Sequence, residues 1–325
     1  MRENVLNPDG TLQSELWLDR PDAHQKVANR LADAEISSEE ADNLNLFIDR
    51  GYIIFDLDIT ESIIDNIRST VDLLWNARPQ DLLVACGAEK TRPFSEVPDE
   101  LGRRPGIRFI DFHSHCEGAR QLYLNKKLHR YCELIYGQRP VATQTLYFEY
   151  GSQQSLHRDP WYVVTNPPCN LLASWIALED ITADSGPLTY VPGSHRLPYY
   201  KMSNGDIISH APNVTKDDVK KTYEHMSDMI DKYQLKPQHF LAKKGQVFIW
   251  HSSLVHGGSP VSNPLKTRNS LVVHYDVAAY HLSHAQWVNT SKQERFIART
   301  QRLMFQDGCI GFDNPVRLYD FNIPR

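Results

Sequence analysis

Apolar positions in the first 140 residues recur mostly at helical spacing, and those beyond residue 141 fall into short β-type runs. Residues 1–36 are polar, carry Pro8 and Pro21, and predict an arm with one short helix over 23–34. Ser37-Ser38-Glu39-Glu40 has the form of a capping box, and Gly51 closes the helix it opens. Tyr52-Ile53-Ile54-Phe55 reads as a strand. Thr60 then caps a helix whose stripe is Ile63, Ile67, Val71 and Leu74. Residues 78–107, rich in Pro, Gly and charge, read as a long loop. A further helix is expected over 119–136, with Leu128, Cys132 and Ile135 on one face and Gly137 and Pro140 as its stop.

Beyond 141 the predicted strands are 141–150, 171–178, 188–191, 246–250 and 270–277, punctuated by Gly186-Pro187, Pro192-Gly193 and Gly257-Gly258. Such a series predicts a mainly β fold, a double-sheet β-sandwich or a jelly roll such as the double-stranded β-helix of cupin-like proteins. Helical support over 37–140 precedes a core over 141–283, and together they make one domain. The core is interrupted by an insertion over 199–244 with a helix over 215–233, whose apolar face is Val219, Met226 and Ile230. An insertion of this size is either a lid or a solvated decoration. Residues 284–325 are expected to begin as a helical extension packed on the core.

Composition changes this picture little. Hydrophobic residues are 41% and charged residues 23% of 325, ordinary for a globular chain. A formal charge of −5 gives no polycationic footprint, so nucleic acid is not an expected partner. Cys86, Cys116, Cys132, Cys169 and Cys309 are scattered, with no C-x-x-C, so neither a disulfide framework nor a zinc site is indicated. No run approaches the ~18 apolar residues of a membrane span. Met1-Arg2-Glu3-Asn4 opens no signal h-region, and a cytoplasmic setting is expected.

The chemistry concentrates after the strand Thr143–Tyr150, in Ser155-Leu156-His157-Arg158-Asp159-Pro160-Trp161. In extended backbone, residues i and i+2 share a face. His157 and Asp159 then project together, and Arg158 points away. An imidazole and a carboxylate on one wall are two thirds of the 2-His-1-carboxylate set of non-haem Fe(II) oxygenases. Downstream, His251 and His256 compete for the third place. His256 adjoins Gly257-Gly258, which permit close backbone approach to a bound group. Thr267-Arg268-Asn269-Ser270 puts a guanidinium at the mouth of an otherwise apolar strand, where burial is costly without an anion. Its planar fork suits a carboxylate, and Ser270, two residues on, shares its face.

With these pieces in order, the chain resembles the phytanoyl-CoA dioxygenase family of Fe(II)/2-oxoglutarate-dependent oxygenases. The resemblance rests on Leu156–Asp159, 173–180, Ser185-Gly186-Pro187-Leu188, Val191-Pro192-Gly193-Ser194-His195, 245–258 and 268–275. It implies His157, Asp159 and His256 as iron ligands, Arg268 as the anchor of the 2-oxoglutarate distal carboxylate with help from Ser270, and Trp175 as a wall of that pocket. It implies O2 as the oxidant and hydroxylation of an unactivated C–H of a small molecule, with release of succinate and CO2. Related halogenases replace the carboxylate ligand with a small residue, so Asp159 favours hydroxylation. His195, His251 and His274 read as structural or supporting. Trp161, Tyr162 and Arg158 are the substrate-contact candidates, with Arg158, which departs from the usual family pattern, at the pocket rim. Gln144, Tyr147 and Gln154 face either the co-substrate or the core. Two rivals stand beside this reading: a catalytically silent binding protein of the same fold, and a cupin-type metalloenzyme that ignores 2-oxoglutarate.

Overall fold

The computed structural model describes residues 6–87, 91–163, 165, 170–203, 207, 213–281, 288–289, 295–299, 302–314 and 316–320. Helices α1 (Ala23–Ala32) and α2 (Ser38–Arg50) lead into β1 (Tyr52–Asp56) and α3 (Glu61–Ala77). The capping box of α2 is formed: Ser37 accepts from the Glu40 amide, and the Glu40 carboxylate accepts from the Ser37 amide. Gly51 ends that helix in the left-handed region at φ 81°, where a Cβ would strike the His195 ring. Thr60 occupies the N-cap of α3, but its hydroxyl pairs with Ser62 and caps nothing. The buried stripe of α3 is Ile64, Ile67, Val71 and Leu74, so Ile64 takes the place expected of Ile63.

The stretch 78–107 is not a structureless loop. It contains β2 (Leu83–Cys86) and β3 (Arg92–Pro93), and β4 (Ile107–Ile110) begins at its end. These strands are short and follow one another through turns rich in Pro and Gly, which hid their alternation. The helix expected over 119–136 is two helices, α4 (Glu117–Tyr123) and α5 (Lys126–Tyr136). Asn125 breaks them apart: its side chain accepts from the amides of Lys127 and Leu128 and restarts the helix.

The core strands are β5 (Pro140–Phe148), β6 (Leu172–Ala177), β7 (Leu188–Tyr190), then, after the insertion helix α6 (Lys216–Lys232), β8 (Gln238–Phe240), β9 (Gln246–His251), β10 (His256–Gly258) and β11 (Ser270–Val277). They form the two sheets of a jelly roll. The large sheet runs β1-β9-β6-β11-β5-β4-β2-β3, and the small one β10-β7-β8. Residues beyond 284, expected to begin as a helix, form strands and a turn where they are described. The short helix α7 (Ala278–His281) leads to β12 (Val288–Asn289), β13 (Arg295–Arg299), β14 (Arg302–Gln306), β15 (Cys309–Asp313) and β16 (Val316–Asp320). Strands β14 and β15 form a hairpin whose turn residues, Asp307 and Gly308, both have positive φ. That is the demand of a type I′ turn, which Asp-Gly meets.

The large sheet has two different faces. Its outer face packs against the helices in the main apolar core, with Val84, Phe109, Tyr147, Ile176, Val247, Ile249, Leu271, Val273 and Tyr275 among the buried residues. The inner face looks toward the small sheet. Across it, Gln144 pairs with His274 and His274 with Ala173; Leu146 pairs with Val272 and Val272 with Trp175; Phe148 pairs with Ser270. Strand period places these on one side. The insertion helix is opened by a Thr215–Asp218 capping box and lays Met226 against Trp161, Val191 and Tyr199. The N-terminal stretch joins the same packing: Leu6 and Leu12 are buried in that cluster, and the Gly10 carbonyl accepts from the Tyr199 amide. Cys86, Cys116, Cys132 and Cys309 are buried and form no disulfide among the described residues, and Cys169 lies outside them. Among the described residues, no helix is long and apolar enough to cross a membrane.

Candidate metal centre and carboxylate pocket

His157 and His256 lie on adjacent antiparallel stretches and exchange both backbone hydrogen bonds, at 2.9 and 3.0 Å. His157 thus extends the small sheet by one position beyond β10. Glycine permits this approach: a Cβ on Gly257 would meet the Gln154 carbonyl at 2.6 Å, and one on Gly258 the Ser152 hydroxyl at 2.3 Å. What comes close to Gly257-Gly258 is the chain 152–156.

The side chains of His157, Asp159 and His256 converge, with one ligand atom from each within 4.8 Å of the others, and all three are buried. Asp159 Oδ1 lies 3.7 Å from His157 Nε2 and 3.5 Å from His256 Nε2. Each imidazole has its other nitrogen committed. His157 Nδ1 donates to the Ser155 carbonyl at 2.8 Å, and His256 Nδ1 to the Leu254 carbonyl at 3.0 Å. A proton held at Nδ1 leaves the Nε2 lone pair facing inward, the tautomer a metal requires. Burial, with His256 nearby, pushes His157 down to about 4, and burial pushes His256 down to about 4, so both rings are neutral at pH 7. The carboxylate is held as well: Trp250 Nε1 donates to Asp159 Oδ2 at 2.9 Å, which turns Oδ1 toward the imidazoles. Trp250 escaped the sequence reading. Its signal was its place one step before His251, on the inner face of β9 beside Phe248.

A second cluster lies on the inner face of the large sheet. The Arg268 side chain is buried, with its guanidinium carbon 5.5 Å from the ring centres of both Phe148 and Trp175. Among the described residues that guanidinium makes no hydrogen bond or ion pair, and its Nε, the Ser270 hydroxyl and the Trp175 indole N–H are all buried without a partner. Burial lowers Arg268 to about 10, against the distant pull of Glu179, so it remains a cation at neutral pH. The Glu179 carboxylate is engaged elsewhere, accepting from Thr267 Oγ1 and from the backbone and side chain of Asn269, and so pins the turn on either side of Arg268. Three orphaned donors in one apolar pocket ask for an acceptor with several lone pairs, which a carboxylate is.

The other predicted residues separate. Arg158 is not at a rim. It is buried behind the His157–Asp159–His256 cluster, reaching the Pro198 and Ser194 carbonyls at 3.2 and 3.4 Å and stacking 4.2 Å over Tyr199. Its odd position in the strand sends it out of the cavity, and those carbonyls receive it there. Trp161 is packed in the cluster beneath α6 and does not face the ligands. Tyr162 stays half exposed, its ring edge-on to His157 at 5.6 Å and its hydroxyl 2.6 Å from that of Tyr223 on α6. Gln144 pairs with His274 Nδ1 at 3.2 Å on the inner face, Gln154 reaches His157 Nε2 at 3.2 Å, and Tyr147 faces the outer core and bonds Asn269. In the turn at 192–195, the Ser194 hydroxyl accepts from the Val255 amide at 2.8 Å, beside His256. His251 does not reach the ligand cluster. Its Nδ1 accepts from the Ser253 amide at 2.9 Å and its Nε2 donates to Asp19 at 3.1 Å.

Residues 108–269 match the profile of the family described as phytanoyl-CoA dioxygenase (PhyH). The chain belongs to the phytanoyl-CoA dioxygenase family. Among relatives of this family, the phytanoyl-CoA dioxygenase domain-containing protein 1 homolog of Caenorhabditis briggsae is 23% identical over 216 residues, which are 64% of this chain and 69% of that protein. Among solved structures, the non-heme alpha ketoglutarate dependent carbocyclase SnoK from nogalamycin biosynthesis has a TM-score of 0.55 at 16% identity, over 80% of this chain and 95% of that one. EctD from S. alaskensis, solved with 2-oxoglutarate and 5-hydroxyectoine, has a TM-score of 0.51 at 18% identity, over 86% of this chain and 84% of that one. At these identities the structural likenesses establish the fold that this member of the family shares.

Proposed function

We propose that this phytanoyl-CoA dioxygenase family member is an Fe(II)- and 2-oxoglutarate-dependent dioxygenase that hydroxylates an unactivated C–H of a small organic molecule. One observation carries the reading: a buried two-His, one-carboxylate cluster at the small sheet accompanies a buried guanidinium, unpaired among the described residues, at the inner face of the large sheet. His157 Nε2, His256 Nε2 and Asp159 Oδ1 would hold the iron on one face of its coordination sphere, leaving the opposite positions to the co-substrate and O2. Arg268, with Ser270 and Trp175 beside it, would take the distal carboxylate of 2-oxoglutarate. When bound, iron and 2-oxoglutarate supply the oxidising chemistry, with succinate and CO2 as by-products.

The chain's own part is to bind, orient and exclude water. Trp250 keeps Asp159 from turning both oxygens to the metal. Phe148 and Trp175 flank the guanidinium, which strengthens its hold on a carboxylate by keeping water away. Pinning the far end of the co-substrate fixes the orientation of its near end, a positioning role. A metalloenzyme indifferent to 2-oxoglutarate would leave Arg268, Ser270 and Trp175 as three unsatisfied donors with no return, and a silent binding protein would not need both Nε2 lone pairs turned inward.

The test is Fe(II)-dependent conversion of 2-oxoglutarate to succinate by purified protein, with a panel of small molecules screened for stimulation and for products heavier by one oxygen atom. Stimulated succinate release with an oxygenated product is expected. Metal-loaded protein that neither binds 2-oxoglutarate nor releases succinate would overturn the reading, and desaturated or cyclised products would replace hydroxylation with another oxidation.

A further inference from the structure

The amino-terminal arm crosses the carboxyl end of α5, and a cleft of about 440 Å³ opens beside the crossing. One wall is Trp17, in the turn Trp17–Asp19. The chain alone fixes this indole. Its Nε1 donates to the Leu134 carbonyl at 2.9 Å, one of those a helix leaves unpaired at its end. Gly137 closes α5 beneath it, left-handed at φ 66°, and a Cβ there would lie 3.1 Å from Trp17 Cδ1. Helix α1 supplies another wall. Lys26 and Arg30, four residues apart, are neighbours on one side of the helix, and both line the cleft. Arg20 lines it too, from the link between the turn and α1. None of the lining residues belongs to the His157–Asp159–His256 cluster.

We propose that this cleft binds a small planar organic anion, an aromatic carboxylate or phosphate, at a site separate from the metal centre. The inference does not depend on the dioxygenase reading. The lining carries three cations, Arg20, Lys26 and Arg30, against one acid, Glu15. Lys26 is matched by Asp22 at 2.9 Å. Arg30 gives its Nε to Glu35 at 3.1 Å, and among the described residues its two Nη groups make no bond. The Arg20 side chain makes no ion pair or hydrogen bond among the described residues, and Asp22, which feels its charge, is held by Lys26.

An unpaired arginine at a surface means little by itself, because water satisfies it. Here two arginines stand at an apolar wall. The Arg30 guanidinium carbon lies 5.6 Å from the centre of the Trp17 ring, and that ring is only half buried. An acid held by the Arg30 fork therefore lies beside the indole. A flat ring attached to that acid covers the open part of the indole and takes apolar surface of both partners out of water. An inorganic anion gains from the charge alone. The volume is that of a small-molecule site, and a wall fixed in advance keeps the cost of ordering low.

The experiment titrates the full chain by calorimetry with 2-naphthoate and 2-naphthyl phosphate, and with 2-naphthamide and 2-naphthol as their neutral partners. The expected result is one site that prefers the anions by about fivefold, less so as salt is added. The preference should vanish in the double variant Arg20→Gln/Arg30→Gln and persist in part in Arg20→Lys/Arg30→Lys, whose ammonium groups lack the planar fork. Wild-type protein without the preference overturns the proposal, and so does a double Gln variant that keeps it. If the double variant unfolds, Arg20→Gln alone carries the test, because it removes an exposed side chain that holds nothing else. It is expected to lose about half of the preference, and full retention overturns the proposal. Arg268→Gln decides the place. It removes the guanidinium of the other pocket and leaves the cleft whole, so the preference should survive. Loss of the preference in R268Q would put the anion at the metal centre and overturn the cleft.

Discussion

Arg158 and Arg268 are both almost fully buried, yet one is enclosed by the chain and the other is not. Arg158 sits behind the His157–Asp159–His256 cluster with two of its nitrogens on backbone carbonyls, although its Nε, like that of Arg268, is buried without a partner. Tyr199 beneath it donates to Ser253, and His251 is held at both nitrogens by Ser253 and Asp19. Arg268, in front, is surrounded by donors that also lack partners. The histidines divide the same way. His113 uses both nitrogens, on Thr145 and the Phe312 carbonyl, while His256 fixes one nitrogen on a carbonyl and turns the other toward Asp159, as does His157, whose Nε2 also meets the Gln154 amide at 3.2 Å. Residue type and burial are therefore poor guides to function by themselves. What distinguishes the front of this sheet is that the Arg268 guanidinium has no partner at all among the described residues and sits with the unpaired donors of Ser270 and Trp175, whereas Arg158 has two carbonyls.

The sharpest way to break the comparison is to remove a ligand. Asp159→Ala should abolish iron-dependent succinate release, by about a thousandfold or more, with little loss of folding stability, because two imidazoles alone hold a metal poorly. Unchanged turnover would remove Asp159 from the metal. The two arginines then give opposite signatures. Arg158→Ala should cost roughly 3 kcal/mol in urea unfolding, because it strands two carbonyls and leaves a hole, while the KM for 2-oxoglutarate stays put in the folded fraction. Arg268→Ala should raise that KM by about a hundredfold while iron binding stays nearly intact. If both variants moved the same quantity, front and back would not differ as described.

How much of this was visible beforehand follows from the distance over which each feature is encoded. His157 and Asp159 could be paired from local spacing, because two residues apart in extended chain is one face. Arg268 and Ser270 were visible for the same reason, and a cation opening an apolar strand drew attention to itself. His256 could be preferred to His251 only through the family resemblance, since nothing local says that Asp19, 232 residues away, occupies His251. Arg158 shows the limit of alternation: it said which way the side chain leaves the strand, not that the 194–198 turn waits there with carbonyls. Trp250 supports a carboxylate 91 residues away, and its place one step before His251 said nothing of that partner. The Asp307-Gly308 hairpin is different, because its turn dipeptide flanked by alternating apolar residues was readable and was passed over. The helix break at Asn125 was readable too, from a capping side chain in mid-pattern.

Trp250 tests whether the front site is held as rigidly as its tautomers suggest. Trp250→Phe keeps most of the packing against Phe248 and His256 and removes the N–H that restrains Asp159 Oδ2. Metal affinity should fall about ten- to a hundredfold, read by competition with a metallochromic chelator, with a change in unfolding free energy of about 1 kcal/mol. Unaltered affinity would mean that Asp159 is oriented by the metal and not by the chain.

The smallest effect belongs to the back of the site. Asp19 is held down to about 2: burial alone would raise it, but the charge and hydrogen bond of His251 outweigh that. A carboxylate whose folded pKa lies below its unfolded value of about 3.9 contributes stability that is complete above pH 4 and is lost as pH falls through 2. The contribution should be roughly 1 to 2 kcal/mol, because the side chain is 22% exposed and solvent takes part of it. Asp19→Asn keeps an acceptor for His251 but cannot titrate. The difference in unfolding free energy between wild type and D19N should therefore shrink between pH 5 and pH 2, and 2-oxoglutarate KM at neutral pH should not move. A difference that stayed flat across that window would mean that Asp19 gains nothing from His251, and the network behind the ligands would then be packing and not charge.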